Sequence, residues 1–257
     1  MTTWRLAIEY DGSGFSGWQR QPGARTVQSA VSEALSTVLR RPIEIQGASR
    51  TDAGVHALGQ VASFECDEPF DPSRIVRGVS ALCRPDAAVV EAAIAPEGFH
   101  ARFDAAGKRY RYRLLNRSAP SPLLAGTSWH VPQPLDLERM RNAARLLVGQ
   151  HDFAGFRSAD CGRETTRRTL ECVEIEAVGE PQGLVEIAVE GDAFLKNMVR
   201  IIAGTLVEVG GGRRAVESID EILALGDRTR AGQTAPARGL TLMEVRYPPG
   251  WLRRRRG

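Results

Sequence analysis

The stretch from Arg41 to Cys66, "RPIEIQGASRTDAGVHALGQVASFEC", predicts two β-strands joined by a long polar loop. Its two ends, "RPIEIQ" and "GQVASFEC", alternate apolar and polar residues as strands do. The connection is not a typical hairpin turn, because it has no Asn-Gly or Asp-Gly pair and contains valine and histidine. It instead sets Arg50, Thr51, Asp52 and His56 close together among small residues. We interpret it as a structured loop with a chemical role.

The elements predicted around this stretch follow the same order twice along the chain. In the first half, strands are predicted at 4–10, 43–47, 58–66 and 87–95, and helices at 27–40 and 73–83. In the second half, strands are predicted at 108–116, 168–178, 183–191 and 240–247, and helices at 136–149 and 194–209. Each half therefore has the ferredoxin-like order β-α-β-β-α-β.

This repeat predicts an α/β fold of two ferredoxin-like halves that share a continuous, mostly antiparallel sheet with a central cleft. We place an N-terminal subdomain at 1–104, a C-terminal subdomain at 105–249 and a basic tail at 250–257. Thr26 and Asp136 precede helical patterns and are expected N-caps. Ligands often bind in clefts between such subdomains, so the cleft is the expected site.

The composition is that of an ordinary globular protein. Of 257 residues, 42% are hydrophobic and 25% are charged, and the net charge is +3. No apolar run reaches the roughly 18 residues of a membrane span. Because "MTTWRLAIEYDG" begins as a strand pattern, we expect no signal peptide. The four cysteines have no CxxC spacing, which predicts reduced thiols in a cytoplasmic protein without a zinc ribbon.

Arginine dominates the basic residues. Of 34 basic residues, only Lys108 and Lys196 are lysine. Arginine suits phosphate recognition, but a GC-rich genome would produce the same bias, so composition gives only modest support for nucleic-acid binding. We expect the terminal "RRRRG" to be a solvated end.

Two further segments contain polar residues that are not needed to form the predicted strands and helices. In "KRYRYRLLN" (108–116), arginines alternate with Tyr110 and Tyr112, which predicts a basic face and an aromatic face. Rings beside arginines suit nucleobases and phosphates, whereas the alternative is that both tyrosines belong to the core. In "FLKNMVRIIAGTL" (194–206), Lys196 and Arg200 would lie one turn apart on one helix face. Arg200 could pair with a carboxylate or reach solvent from the surface.

Three motifs in this order, "SRTDAGVHALGQVASF", "GFHARFDAAGKRYRYRLLN" and "DAFLKNMVRIIAGTLVEVG", resemble the tRNA pseudouridine(38–40) synthase family. The segments "LAIEYDGSGFSGWQRQP", "GQHDFAGFR" and "TAPARGLTLMEVRYP" also resemble it. The resemblance runs from the first strand to Pro249. The family motif "GRTDAGVHA" has serine at its first position here, Ser49, which affects the backbone before the arginine and leaves the reactive residues intact.

The resemblance implies roles for four residues. Asp52 matches the essential carboxylate, and Arg50 matches the residue that helps to extrude the target nucleotide and occupies its place. Tyr110 matches the tyrosine that packs against the uracil, and Arg200 matches the arginine that pairs with the catalytic aspartate. We further expect weaker RNA contacts from a set of neighbouring residues: His56, His100, Arg102 and Lys108.

The resemblance also implies that the chain isomerises uridine to pseudouridine at positions 38, 39 and 40 of the anticodon stem-loop. The expected partner is tRNA, bound by a cytoplasmic homodimer, with no cofactor, no metal and no membrane association. A stacked uridine must be flipped out before its C1′ can be reached. The carboxylate must be ionised, either to attack C1′ or to abstract a ribose proton, and the sequence does not choose between these routes.

Three other functions compete with this one. A metal site at Asp52 and His56 is weakly supported, because the four histidines are widely spread and form no ligand motif. A non-catalytic RNA-binding module would need exposed aromatic residues but would not need Asp52. A glycosidase would need a second acidic residue paired with Asp52, and no motif places one near it.

Overall fold

The computed structural model describes residues 1–67, 70–162, 164–179 and 182–249, which form two compact units. The first unit comprises Met1–Lys108 and the residues from Leu242 onward, and the second comprises Arg109–Thr241. The predicted basic tail at 250–257 lies outside the described residues. The division into subdomains at 1–104 and 105–249 stays a prediction.

The first unit has the predicted order β-α-β-β-α-β. Its elements are β1 (Thr2–Tyr10), α1 (Val27–Leu39), β2 (Gln46–Gly47), β3 (His56–Cys66), α2 (Pro72–Cys83) and β4 (Ala87–Ile94). The strand β10 (Leu240–Arg246) joins this unit from Leu242 onward. Strand β1 lies between β4 and β3 and is antiparallel to both, and β3 also pairs with β2 and neighbours β10.

Alternation along β1 creates the core of this unit. Trp4, Leu6 and Ile8 are fully buried, whereas the intervening Arg5 forms an ion pair with Glu91 of β4 at 2.6 Å. Burying three large apolar side chains on one face contributes about 1.5–3 kcal/mol each. The register is therefore fixed, since a shift by one residue would turn this face toward water.

The strand predicted at 43–47 is wrong in its first part, because only Gln46–Gly47 pairs as a strand. Side chains of α1 take the hydrogen bonds that a longer strand would need. The Ile43 N–H donates to Ser36 Oγ at 2.9 Å, and the Ile45 N–H donates to Ser32 Oγ at 3.3 Å. Short hydroxyl side chains commonly compete in this way with regular secondary structure.

The second unit contains more elements than predicted. Its strands are β5 (Gly107–Leu115, from Arg109), β6 (Trp129–His130), β7 (Gly149–Asp152), β8 (Arg167–Val178) and β9 (Leu184–Gly191), and its helices are α3 (Leu137–Arg145), α4 (Met198–Gly210) and α5 (Ser218–Leu225). The strand order is β5-β9-β8-β7, and β6 pairs with β5. The pairs β7–β8 and β8–β9 are antiparallel. The predicted α/β class with mostly antiparallel pairing is therefore confirmed, whereas the shared sheet and the cleft stay predictions.

The helix starts at Thr26 and Asp136 are confirmed. Thr26 Oγ1 accepts the N–H of Ser29, and Asp136 Oδ1 accepts the N–H groups of Glu138 and Arg139. These caps satisfy backbone donors that the first helical turn leaves unpaired.

Two predicted helix boundaries are wrong for backbone reasons. The helix predicted at 136–149 ends at Arg145, and Gly149, with φ of 112°, begins β7. The helix predicted at 194–209 begins only at Met198, because Asn197 adopts a left-handed conformation with φ of 61°. Lys196 therefore precedes α4 and does not share a helix face with Arg200.

Candidate active site

The polar loop Ala48–Val55 connects β2 to β3, and the exposure of its side chains alternates. Ser49 and Thr51 are buried, Arg50 is exposed and Asp52 is half-buried. The loop is held at both ends by its own unit, since the Ala48 N–H donates to Val61 O at 2.8 Å and the Val55 N–H donates to Asp52 O at 3.1 Å. Among residues 49–52, the two side chains with predicted chemical roles are thus the accessible ones.

A buried glutamine, Gln60 of β3, anchors the loop through hydrogen bonds to the backbone of Ser49. Its Nε2 donates to Ser49 O at 2.8 Å, and its Oε1 accepts the N–H of Ser49 at 3.2 Å. Gln60 Nε2 also lies 3.4 Å from the hydroxyl of Tyr10, which is 2.8 Å from Thr51 Oγ1. These bonds satisfy backbone groups that would otherwise be buried without partners.

Two glycines of the β1–α1 connection allow the backbone to approach the loop closely. A Cβ on Gly12 would lie 2.0 Å from Val55 O. Gly17 has φ of 90°, and a Cβ there would lie 2.8 Å from Thr51 O. The Trp18 N–H donates to that same Thr51 carbonyl at 3.0 Å. Only glycine fits such positions, so the loop is enclosed on this side by backbone.

His56 also orders this connection. Its Nδ1 lies 3.1 Å from the Gly12 nitrogen and 3.1 Å from Asp11 Oδ1. One nitrogen cannot both accept from Gly12 and donate to Asp11 in the same protonation state. The bond from Gly12 is preferred, because this donor is buried, while Asp11 already accepts the N–H of Ser13 at 2.9 Å. A contact of His56 with RNA stays a prediction.

Asp11 itself is an anionic neighbour of this connection. Partial burial raises its pKa, but the hydrogen bonds from the backbone N–H and the hydroxyl of Ser13 lower it, and the pKa of Asp11 lies below its usual value. The carboxylate is therefore charged at neutral pH.

In the second unit, Tyr110 and Tyr112 of β5 are both buried. Tyr110 packs edge-on against Phe194, with ring centroids 5.0 Å apart and an interplanar angle of 79°. The Tyr112 hydroxyl donates to Pro236 O at 2.8 Å, and burial raises the pKa of Tyr112. Both tyrosines are thus as buried as the core alternative requires. Phe194 fixes the ring orientation of Tyr110, whose contact with uracil stays a prediction.

The arginines of β5 form the opposite face and meet carboxylates of β9. Arg109 lies 3.2 Å from Glu190, whereas Arg111 and Arg113 share Glu186 at 3.6 and 2.8 Å. The predicted alternation of a basic and an aromatic face is therefore present. The paired carboxylates reduce the positive charge that this face could offer to phosphates.

Arg200 is held on α4 by neighbouring polar groups. Its Nε donates to Ala235 O at 2.8 Å, and its Nη1 donates to Asn197 Oδ1 at 2.7 Å. The Ala235 N–H in turn donates to the Arg200 carbonyl at 3.1 Å. Arg200 is only part-buried, but its guanidinium is fixed in orientation and is not a freely solvated surface group. Lys196 instead forms an ion pair with Asp160.

Arg50 and Asp52 belong to the first unit, whereas Tyr110 and Arg200 belong to the second. Their association in one site stays a prediction of the resemblance.

The model of a family described as tRNA pseudouridine synthase matches residues 6–104 and 143–248, which include Arg50, Asp52 and Arg200. The chain belongs to the tRNA pseudouridine synthase family. The family predicted from the sequence motifs is therefore confirmed.

Curated relatives of this pseudouridine synthase match over nearly the whole chain. Proteins named tRNA pseudouridine synthase A from Syntrophotalea carbinolica, Geotalea uraniireducens and Myxococcus xanthus are 49%, 46% and 46% identical to it. The alignments cover 97%, 95% and 96% of this chain and 98%, 98% and 92% of those proteins. A solved structure described as an H/ACA RNP bound to a substrate RNA has a TM-score of only 0.35 and 12% identity over 91% of this chain and 48% of that one.

Several residues that support the loop of this pseudouridine synthase were not predicted as part of the site: Tyr10, Gly12, Gly17 and Gln60. Gln60 carried a usable signal, because it occupies the same strand face as Ala62 and Phe64, which are buried. A glutamine on a buried strand face needs hydrogen-bond partners.

Within residues 1–67, 70–162, 164–179 and 182–249, no group of three or more His, Cys, Asp or Glu residues could hold a metal ion. In the same described parts of the chain, no helix is long and apolar enough to cross a membrane.

Proposed function

We propose that this chain isomerises uridine to pseudouridine at positions 38, 39 and 40 of the tRNA anticodon stem-loop, without a cofactor. The observation that carries the proposal is the position of Asp52 within the matched region, on a loop that Gln60 and two close-packed glycines hold in one conformation. A fixed carboxylate at the surface of such a loop suits a reaction that needs one ionised acid.

The reaction is balanced within the nucleoside. The bond between C1′ and N1 of the uridine breaks, the uracil turns, and a new bond joins C1′ to C5. The C5 proton is released and N1 gains a proton, so no oxidant or reductant is needed. Asp52 either attacks C1′ or removes a ribose proton, and it must be ionised for both.

Arg50 and Arg200 have complementary proposed roles. Arg50 is exposed at the loop surface, and its planar guanidinium could occupy the stack that the flipped uridine leaves. Arg200 would pair with Asp52 and keep it charged in a pocket from which the uracil excludes water. Its fixed orientation on α4 supports this role, because a positioned cation stabilises a carboxylate without reorganisation.

The test is release of tritium from tRNA labelled at C5 of uridine. Asp52→Asn should abolish release and leave tRNA binding nearly intact, because the side chain keeps its shape. Asp220→Asn, which changes an exposed carboxylate on α5, is the matched control and should behave as wild type. Release by Asp52→Asn at the wild-type rate would contradict the proposal. Binding of tRNA by the wild-type chain without any release would instead support an RNA-binding module.

For Tyr110, the proposed role is to pack against the target uracil. Tyr110→Phe should keep most of the binding, because the ring remains, whereas Tyr110→Leu should lose binding and catalysis together. Tyr112→Leu, on the same strand, is the matched comparison and should mainly lower the melting temperature, since Tyr112 is fully buried. Wild-type activity in both Tyr110 variants would leave Tyr110 with a packing role alone.

The proposed assembly is a cytoplasmic homodimer whose tRNA contacts both subunits. The family resemblance supports this proposal. Light scattering at the working concentration should give the mass of two chains, and the mass of one chain would contradict it.

A further inference from the structure

Phe103 is a large apolar side chain that the first unit leaves exposed. It lies in the turn His100–Asp104, between β4 and β5, and its relative exposure is 74%. Single exposed apolar residues are common on protein surfaces. Phe103 differs from an ordinary one because the backbone that carries it is fixed and because its ring contacts two polar side chains.

The turn is anchored on both sides of Phe103. The His100 N–H donates to Asp104 Oδ2 at 2.7 Å, and the Asp104 N–H donates to His100 O at 3.2 Å. Ala101, which is fully buried, donates its N–H to Ser63 Oγ at 3.1 Å and accepts a hydrogen bond from the Tyr247 hydroxyl. The ring is therefore presented from a rigid support.

The ring of Phe103 lies beside an imidazole and a guanidinium. The ring centroids of His100 and Phe103 are 4.3 Å apart at an interplanar angle of 36°, and the Arg102 guanidinium carbon lies 5.6 Å from the Phe103 centroid. His100 Nδ1 accepts the N–H groups of Arg102 and Phe103 at 3.1 and 3.3 Å. His100 therefore holds the backbone of the turn through Nδ1 and also contacts the ring of Phe103.

We propose that Phe103 is a stacking platform for a nucleobase of the RNA substrate other than the target uridine, with Arg102 near an adjoining phosphate. The proposal rests on the proposed function, because it assigns a second contact on the same RNA. Unpaired bases bind proteins by stacking on aromatic side chains beside arginines. A preordered ring loses little conformational entropy when a base stacks on it.

The surroundings of Phe103 favour RNA over a protein partner. A stable protein interface buries about 800 Å² on each partner, whereas a stacked base needs only the ring and the groups beside it. Phe103 has an arginine and a histidine as its ring neighbours. A cation next to an open ring suits a base attached to a phosphate chain.

Binding and kinetics of Phe103→Ala with an anticodon stem-loop RNA test the proposal. We expect the Kd and KM to rise about 5- to 150-fold, the range that corresponds to one lost stacking contact, with much of the rate recovered at saturating RNA. Phe103→Tyr should stay within about threefold of wild type, because it keeps the ring. Leu123→Ala is the matched control, since Leu123 is 93% exposed in the other unit.

Salt dependence separates the ring from the cation. Phe103→Ala should leave the slope of log K against log salt unchanged, whereas Arg102→Ala should reduce it by about 0.7–0.9. Phe103→Trp provides a direct signal, because stacking on a base should quench its fluorescence beyond the change seen for the native tryptophans of the wild type.

The outcomes are distinct. Wild-type affinity of Phe103→Ala, or unchanged fluorescence of Phe103→Trp in a chain that binds RNA, would overturn the stacking platform and leave the proposed function intact. A change of oligomeric state in Phe103→Ala with unaltered RNA affinity would assign the ring to a subunit interface and would also overturn it. Failure of the wild-type chain to bind tRNA would instead refute the proposed function.

Discussion

Gln60→Leu should release the loop that carries Asp52, because Gln60 is fully buried and supplies the loop with both a donor and an acceptor. Leucine has a similar size and fits an apolar site, but it leaves the N–H and C=O of Ser49 without their partners. Each unsatisfied buried group costs about 1–3 kcal/mol, so the loss of stability is about 2–6 kcal/mol.

The lower end of this range is expected, because the loop lies near the surface and Ser49 can recover hydrogen bonds to water by moving outward. At about 2–3 kcal/mol, the melting temperature should fall by roughly 4–12 °C for a chain of this size. The same movement displaces Asp52, and a shift of about 1 Å can cost about 100-fold in rate. Thermal denaturation and tritium release at a temperature well below unfolding measure the two effects separately.

Gln46→Leu is the matched control, because Gln46 is exposed on β2 next to the same loop. It should change neither the melting temperature nor the rate by more than a small amount. The reasoning is refuted if Gln60→Leu melts and reacts like Gln46→Leu. Lower stability with an unchanged rate would show that Gln60 supports the fold without positioning Asp52.

Three further predictions concern other residues. Gly12→Ala should lower stability and activity together, because the added Cβ would lie 2.0 Å from a carbonyl oxygen of the loop. Gly126→Ala is the control, because the space around Gly126 is open, and it should leave the melting temperature and the rate of tritium release unchanged. Arg200→Met should lower the rate and move the acid limb of the pH–rate profile to higher pH, because in the proposed pairing the guanidinium favours the ionised form of Asp52. An unchanged profile would refute the pairing. Burial, with a smaller contribution from nearby glutamates, raises the pKa of Cys172 to about 11. Its alkylation by iodoacetamide at pH 8, followed by mass spectrometry, should therefore be about 100-fold slower than that of an unperturbed thiol, and the rate should rise with pH until about pH 11. Rapid labelling at pH 8 would contradict this prediction.

The sequence predicted the order of elements well, because apolar alternation and helix caps are local signals. Thr26 and Asp136 begin helices as predicted. The errors arise where a side chain or a backbone conformation overrides the pattern. Ser32 and Ser36 take the backbone donors of an expected strand. Asn197 enters the left-handed region and delays the start of α4.

For the site, the three motifs in their order along the chain were sufficient to predict the family, whereas the residues that support the loop were not predicted. Gln60 lies eight residues beyond Asp52, and Tyr10 and Gly12 lie in a different strand and turn, so only the tertiary structure brings them together. A buried polar residue in a strand pattern indicates that a partner exists, but it does not identify that partner.

The support of the loop also explains how serine is accommodated where the family motif has glycine. Gln60 binds Ser49 through its backbone N–H and C=O, and these groups are the same in any residue. The side chains at 49 and 51 are buried, whereas Arg50 is exposed and Asp52 is half-buried. Backbone bonds and the Tyr10–Thr51 contact thus hold the buried side of the loop. Because exposure alternates along residues 49–52, Arg50 and Asp52 lie on the accessible side of the loop. Serine in place of glycine at 49 changes only the buried side.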